Sequence, residues 1–468
     1  MVFSSLIFLF LFLPVTILIY YISPKRLRNA ILLVASLIFY AWGEPIYIFI
    51  MIFSTVFDYA NGILIDKYRH RKPIARTIFI SSIASSLGIL CFFKYAGFVV
   101  DNINRLFHLH IQAADLPLPV GISFYTFQTM SYVVDVYKDK VPVQKNIISF
   151  GTYVTMFPQL VAGPIVKYSD IAGQLVSRTV TLDRFGEGAE LFIRGLAKKV
   201  LLANNIGLLW TSVKATPTED LTVLSAWLGI IAFTLQIYFD FSGYSDMARG
   251  LGKMFGFDFM ENFNYPYTSK SITEFWRRWH ISLGSWFREY VYIPLGGNRS
   301  GLLKQFRNLL AVWLLTGLWH GASWNFIIWG LYFGFFVTAE KLFLLKWLQR
   351  RPGFVGHVYT LLIVIVGWVL FEFENLTSAS EFIRMMFGYG AYGFADYQAL
   401  YNLSTNLVLL IVLALCATPL PRRALSYIRE KCNMVGTIVV PVIYFIFMFL
   451  SMAYLVNETY NPFLYFRF

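Results

Sequence analysis

The stretch that decides the fold is Asn308-Leu-Leu-Ala-Val-Trp-Leu-Leu-Thr-Gly-Leu-Trp-His320-Gly-Ala-Ser-Trp-Asn325-Phe-Ile-Ile-Trp-Gly-Leu-Tyr-Phe-Gly-Phe-Phe-Val-Thr-Ala339, 32 residues without Asp, Glu, Lys or Arg. One helical crossing of a hydrocarbon core about 30 Å thick takes about 20 residues, and two take about 40. The run is too long for one crossing and too short for two. Arg307 and Lys341 flank it, and basic flanks mark the cytoplasmic side. The spacing therefore predicts a helical hairpin that enters the membrane without fully crossing it. His320 lies 12 residues past Asn308, about 18 Å along a helix at 1.5 Å per residue, which predicts a depth near the bilayer middle. Gly317 and Gly321 beside it allow close packing or a broken helix there.

The rest of the chain is of the same kind. Of 468 residues, 57% are hydrophobic, 19% aromatic and only 14% charged, with a mean hydropathy of +0.59. That excludes a disordered chain, and three cysteines are too few for a disulfide scaffold. Met1 to Pro24, Asn29–Gly43, Pro45–Phe57, Thr77–Phe93, Leu221–Phe239, Phe354–Phe371, Gln398–Pro421 and Asn433–Asn457 are also uncharged. Interrupted apolar stretches run over Val120–Tyr137, Ile147–Ile165 and Phe185–Val213. Lipid offers no partner to open backbone, so the expectation is an all-α polytopic membrane protein. We expect one membrane domain over residues 1–468, with roughly 10–13 membrane segments, some of them short or re-entrant.

Lys25, Arg26 and Arg28 follow the first apolar run, whereas a signal peptide carries its charges before it. Lys67–Arg76, Lys341–Arg351 and Arg422–Lys431 form further basic clusters. Read as cytoplasmic, these clusters put both termini outside. They also account for the net charge of +13 without a nucleic acid, since anionic headgroups lie at span ends. Cys91 and Cys416 fall in apolar spans and no CxxC pair exists, so no metal or redox site is expected.

An ionisable residue inside a membrane is a functional candidate. Burial keeps an imidazole neutral, the form a general base needs, which makes His320 the first candidate. Its alternative is a histidine merely hydrogen-bonded within a packed core. His280 is the second, within Ser271-Ile-Thr-Glu-Phe-Trp-Arg-Arg-Trp-His-Ile-Ser-Leu-Gly-Ser-Trp-Phe-Arg-Glu-Tyr290. That string is amphipathic and basic, with Ser271 or Thr273 placed to cap a helix. It is either an interfacial helix or a positive mouth for an anionic, phosphate-bearing substrate. Arg277, Arg278 and Trp279 would then meet the substrate, with Trp319 and Asn325 beside the first histidine. Asp240 and Asp246, at the end of an apolar run, read either as hydrogen-bonded helix-end residues or as the lining of a polar tunnel. No nucleophile elbow, zinc-protease motif, Walker A loop or dinucleotide fingerprint is present.

Six strings in this order resemble the membrane-bound O-acyltransferases: the opening Met1–Pro14, Leu118–Phe127, Phe157–Pro164, Tyr238–Ala248, Ser271–Arg299 and Gly317-Leu-Trp-His-Gly-Ala322. They are nearest to the family's alginate-acetylating members. The resemblance implies helices around a central tunnel, with catalytic roles for His320 and His280 in the segment 262–330. It also implies an O-acyltransferase of the bacterial inner membrane. Acetyl coenzyme A would be the cytoplasmic donor, no cofactor would be bound, and periplasmic partner proteins would pass acetyl to an extracytoplasmic polysaccharide, alginate first among them. The ending Phe463-Leu-Tyr-Phe-Arg-Phe468 resembles a terminal aromatic motif of polysaccharide acylation systems, which makes Tyr465 a candidate acyl relay within 461–468. The alternative is a transporter or flippase for a lipid-linked sugar, which needs a polar tunnel but no acyl chemistry. No second copy of the His320 region supports the repeated halves such proteins show.

Overall fold

The computed structural model describes residues 1–112, 116–160, 163–299, 301–431 and 433–457. Among these the secondary structure is helical, without a strand. Seven helices are long and apolar enough to cross a membrane: Ile48–Lys67, Lys72–Phe107, Val223–Met254, Trp324–Gln349, Gly353–Glu372, Tyr397–Cys416 and Ile438–Asn457. The expected 10–13 segments include short and re-entrant ones, and several apolar stretches do form short helices. Phe8–Ile22 is a shorter apolar helix, and the stretch Ile147–Ile165 holds helices of only nine and four residues.

The chain gathers into two compact units, residues 1–192 with 244–260, and 193–243 with 261–468. In the first, α1 (Leu13–Ile22), α2 (Arg28–Gly43), α3 (Ile48–Lys67), α4 (Lys72–Phe107) and α5 (Ile122–Tyr137) follow in order. Small and polar residues join the last three, as is usual where lipid removes the hydrophobic drive. Asp58 of α3 is fully buried and accepts from Ser82 (2.5 Å) and Ser86 (3.2 Å), one turn apart on α4. Gly62 lets the Tyr132 ring of α5 lie where a side chain would stand. Nearby, Phe3 stacks on Tyr244 at 4.4 Å and packs against Phe8 and Phe39.

In the second unit, helices meet a pair of arms formed by Leu302–His320 and Trp324–Ala339. The expected hairpin is present, but its arms are longer than the uncharged run. The first begins before Arg307, and the second continues to Gln349. By length and composition the second arm, taken to Gln349, is long enough to cross a membrane. The charge of Glu340 ended the apolar run without ending the helix, because that carboxylate is buried and hydrogen-bonded.

The helix Val223–Met254 is also longer than its apolar run, which ends at Phe239. Asp240 and Asp246 therefore lie inside a helix and not at its end. Pairing makes this possible: Asp240 meets Lys199 at 2.7 Å, Asp246 meets Arg249 at 3.4 Å, and Lys253 pairs with Glu187.

Candidate active site: two histidines on one tryptophan

The turn of the hairpin is dictated by glycine. A Cβ on Gly317 would run into the carbonyl oxygen of Phe326, and one on Gly330 into that of Trp313. Only hydrogen fits at either place, so the two backbones touch. Gly321 has an extended backbone that any residue adopts. It is glycine because the Phe326 ring fills the place of a side chain. His320 is thus the last residue of the first arm, beside the turn.

Rings enclose it. His320 is 5% exposed, and three aromatic rings meet it nearly edge to face: Trp319 and Trp329 at 5.0 Å and Phe371 at 5.3 Å. Such contacts fix ring orientation through the aromatic quadrupole. Trp319 also lies 6.0 Å from the His280 ring, so one indole bridges both candidates. Their centroids are therefore within about 11 Å of each other.

His280 is not the surface residue of a continuous interfacial helix. The amphipathic string forms two short helices, Ile272–Arg278 and Ile281–Phe287. His280 stands at the break in a left-handed conformation, φ 45°, which costs a non-glycine residue about 1–3 kcal/mol and gathers at functional sites. It is 2% exposed. Two backbone bonds hold the break, Ile281 N–H to Asn262 C=O and Asn264 N–H to Arg278 C=O.

Asn262 also fixes the ring. Its Oδ1 accepts from the Ser282 backbone N–H at 3.1 Å, from Ser282 Oγ at 2.9 Å and from His280 Nδ1 at 3.2 Å. A backbone N–H can only donate, so this atom is the amide oxygen, and Nδ1 carries the proton. The basic lone pair is then on Nε2. Burial pushes the His280 pKa down to about 3, so the imidazole is neutral.

The Ile272–Arg278 helix is fastened at its start. Ser271 Oγ caps it by accepting from Glu274 N–H at 3.0 Å, one of the two caps expected. Glu340, on the same arm that follows the hairpin turn, accepts Ile272 N–H at 2.6 Å and Thr273 N–H at 2.8 Å. His357 Nδ1 donates to the Ser269 carbonyl at 3.2 Å. Farther along, Trp279 stacks on Phe275 at 5.6 Å and lies 4.9 Å from Trp368.

The other residues singled out by sequence divide by position. Arg277 is exposed, while Arg278 pairs with Glu274 at 2.7 Å. Asp240 is buried with Lys199, which also reaches Asn204 at 2.9 Å. Asp246 belongs to the first unit, with Arg249. Asn325 donates to the Phe373 carbonyl at 2.5 Å and so ties the turn to the end of the Gly353–Glu372 helix. Next to it, Glu372 accepts from Trp210 at 3.0 Å and Lys214 at 2.7 Å. Tyr465 lies outside the described residues. Sequence reasoning missed Asn262, Lys199, Glu340 and Glu372. For the three charged residues the signal was a charge set among apolar residues.

A model of the membrane-bound O-acyltransferase family matches residues 138–379, a span that includes both histidines. The chain is 40% identical over 490 aligned residues to the probable alginate O-acetylase AlgI of Pseudomonas putida, covering 100% of both chains. It is 45% identical over 400 residues to the probable alginate O-acetylase AlgI of Pseudomonas aeruginosa, covering 85% of this chain and 76% of that one. The peptidoglycan O-acetyltransferase of Helicobacter pylori is 34% identical over 425 residues, with 83% and 80% covered. A chain whose described residues are helical, with seven apolar helices among them and two buried histidines in the matched region, thus belongs to the membrane-bound O-acyltransferase family, and it is a membrane enzyme that transfers acyl groups to oxygen.

Proposed function

We propose that this chain takes an acetyl group from acetyl coenzyme A on the cytoplasmic side of a bacterial inner membrane and delivers it for O-acetylation of an extracytoplasmic polysaccharide, alginate first among the candidates. Three features support the choice: the identity to alginate acetylases over the whole chain, the basic residues Arg277 and Lys304, and the two buried histidines. Both termini face the periplasm in this proposal, where partner proteins complete the transfer to polymer.

The observation that carries it is the meeting of His280 and His320, forty residues apart in sequence, on Trp319. His320 takes the proton of an acceptor hydroxyl as its oxygen attacks the thioester carbonyl. The carbon–sulfur bond then breaks, and the thiolate leaves with the proton that His320 held. The products are an acetyl ester and free coenzyme thiol. His280, its tautomer set by Asn262, presents Nε2 as the second polar group of the site. Exposed Arg277 and Lys304 give an anionic donor a positive approach. Asp240, Arg278 and Asn325 shape the polar path, and Tyr465 serves as the outward acyl relay.

Membranes carrying wild-type or His320→Ala protein, supplied with radiolabelled acetyl coenzyme A, test the proposal. Transfer to polymer should fall about 10²–10⁴-fold in the variant, the usual worth of a general base. Equal labelling in both removes His320 from the chemistry. In the same assay Tyr465→Phe should stop transfer at the polymer step.

A further inference from the structure

In the first unit two arginines lie over one tyrosine ring without an acid. Arg28 lies over the Tyr20 ring at 5.0 Å and Arg178 over the same ring at 5.7 Å. Arg178 Nε donates to Tyr20 Oη at 2.9 Å and to the Phe255 carbonyl at 3.0 Å, and Nη1 to Asn29 Oδ1 at 2.7 Å. These bonds aim the guanidinium and leave Nη2 over. Arg178 Nη2 and Arg28 Nε are both buried and have no partner. Among the described residues neither arginine pairs with a carboxylate. Asp258, whose backbone N–H donates to Gln174 one turn before Arg178, is paired with Arg184 at 2.6 Å. Exposed Lys25 and Arg26 stand just before Arg28. A buried donor left over is costly, and two like charges here add repulsion. Both costs disappear if an anion occupies the place.

A groove of about 530 Å³ reaches Leu27, the residue before Arg28. It runs between α1 and α2, lined by Leu11, Val15, Ile19, Ile31, Val34 and Ile38, from Leu27 at the basic end to Trp42 at the other. Fifteen helical residues separate those ends, about 22 Å, longer than the roughly 15 Å half-thickness of a hydrocarbon core. Its lining is apolar, apart from Thr16. Positive charge at the mouth of an apolar groove matches an anionic headgroup with its chain attached, and basic pockets between membrane helices take such lipids.

We propose that this chain holds one anionic phospholipid, its phosphate on Arg28 and Arg178 and one acyl chain in the α1–α2 groove. Guanidinium and phosphate match as two-pronged, charge-assisted partners. The site is independent of the histidines and of the acyl-transfer proposal.

Purified full-length protein, stripped of lipid in neutral detergent, is titrated with short-chain phosphatidylglycerol or phosphatidylcholine, and thermal unfolding is read. Phosphatidylglycerol should protect at a concentration about tenfold or more below phosphatidylcholine, the worth of one or two charged hydrogen bonds. Arg28→Gln should erase that preference, Arg28→Lys should keep most of it, and Ala30→Trp should block the groove and weaken both lipids. Arg178→Gln should act like Arg28→Gln. Should that variant not fold, Arg28, whose contact is a ring face, gives the same test. Equal protection by both lipids, or a preference that survives Arg28→Gln, overturns the proposal. So does equal protection by inorganic phosphate or coenzyme A, which would assign the arginines to a soluble ligand.

Discussion

His320 and His280 share a tryptophan but are held by opposite means. Around His320 the contacts are ring edges and faces from Trp319, Trp329 and Phe371, and its backbone is set by arms that touch at Gly317 and Gly330. Around His280 a single amide oxygen gathers three donors, and the backbone is held in a left-handed turn. Rings enclose the first histidine, and one amide oxygen orients the second. Ring contacts fix where an imidazole stands, which suits a base that must meet a hydroxyl at a set place. A hydrogen bond to Nδ1 fixes which nitrogen is protonated, which suits a group with one constant task.

The comparison breaks most severely where shape fails. Gly330→Val would push a branched side chain against the Trp313 carbonyl and the facing Gly317. Overpacking costs about 1–3 kcal/mol where side chains can yield, and here backbone must move. A displacement near 1 Å at a reacting group costs about 10²-fold in rate, so acetyl transfer should fall at least that far even in protein that still inserts. Gly88→Ala on α4, with nothing within 4 Å of a new Cβ, is the control and should leave labelling unchanged. Wild-type transfer by Gly330→Val would show that His320 does not depend on the fit of the arms.

Which features the sequence announced follows from the same division. The hairpin, its glycines and His320 were legible, because a run of 32 uncharged residues and small residues three and four apart are local patterns. So was the cap at Ser271. The length of the arms was not, since a charge reads as a helix end unless its partner is known. The backbone amides of Ile272 and Thr273 that hold Glu340 are 68 and 67 residues away. The same holds for Asp240, whose lysine partner lies on another helix. His280 looked like a surface residue because amphipathic spacing cannot show a left-handed break, and the oxygen that orients its ring comes from Asn262, 18 residues earlier.

Asn262 offers the next and smaller test, now on the hydrogen-bonded side. Asn262→Ala leaves three donors without their acceptor and lets either imidazole nitrogen carry the proton. Transfer should fall about tenfold or somewhat more, the worth of one or two such bonds. Asn262→Asp keeps the acceptor and adds a negative charge, which favours the imidazolium. In wild type the His280 pKa of about 3 lies below the ordinary 6.5, so its contribution to stability is present above pH 6.5 and is lost as pH falls toward 3. The aspartate should raise that pKa and bring an acid limb into the pH–rate profile, with activity falling as pH drops through the new value. Identical profiles for wild type and Asn262→Asp would detach His280 from the reaction.

The smallest effect tests whether the two means of support are joined. Glu340 belongs to the arm that follows the hairpin turn, yet its carboxylate holds the first two amides of the helix that leads to His280. Its two oxygens take one N–H each, and carboxylate at a helix start is also favoured by the helix dipole. Glu340→Gln keeps the volume and one oxygen but turns an NH₂ toward the other amide, at a cost of about 1–3 kcal/mol shared between folding and the position of the helix. We expect kcat to fall about three- to tenfold with KM for the donor unchanged, because the helix start lies away from the rings and its shift reaches the reaction through His280. Ser271→Ala, which removes the cap of the same helix, should lower kcat in the same sense by less. If Glu340→Gln lowers only the yield of folded protein and leaves kcat intact, the arm and the helix are merely packed together, and the two histidines are positioned independently.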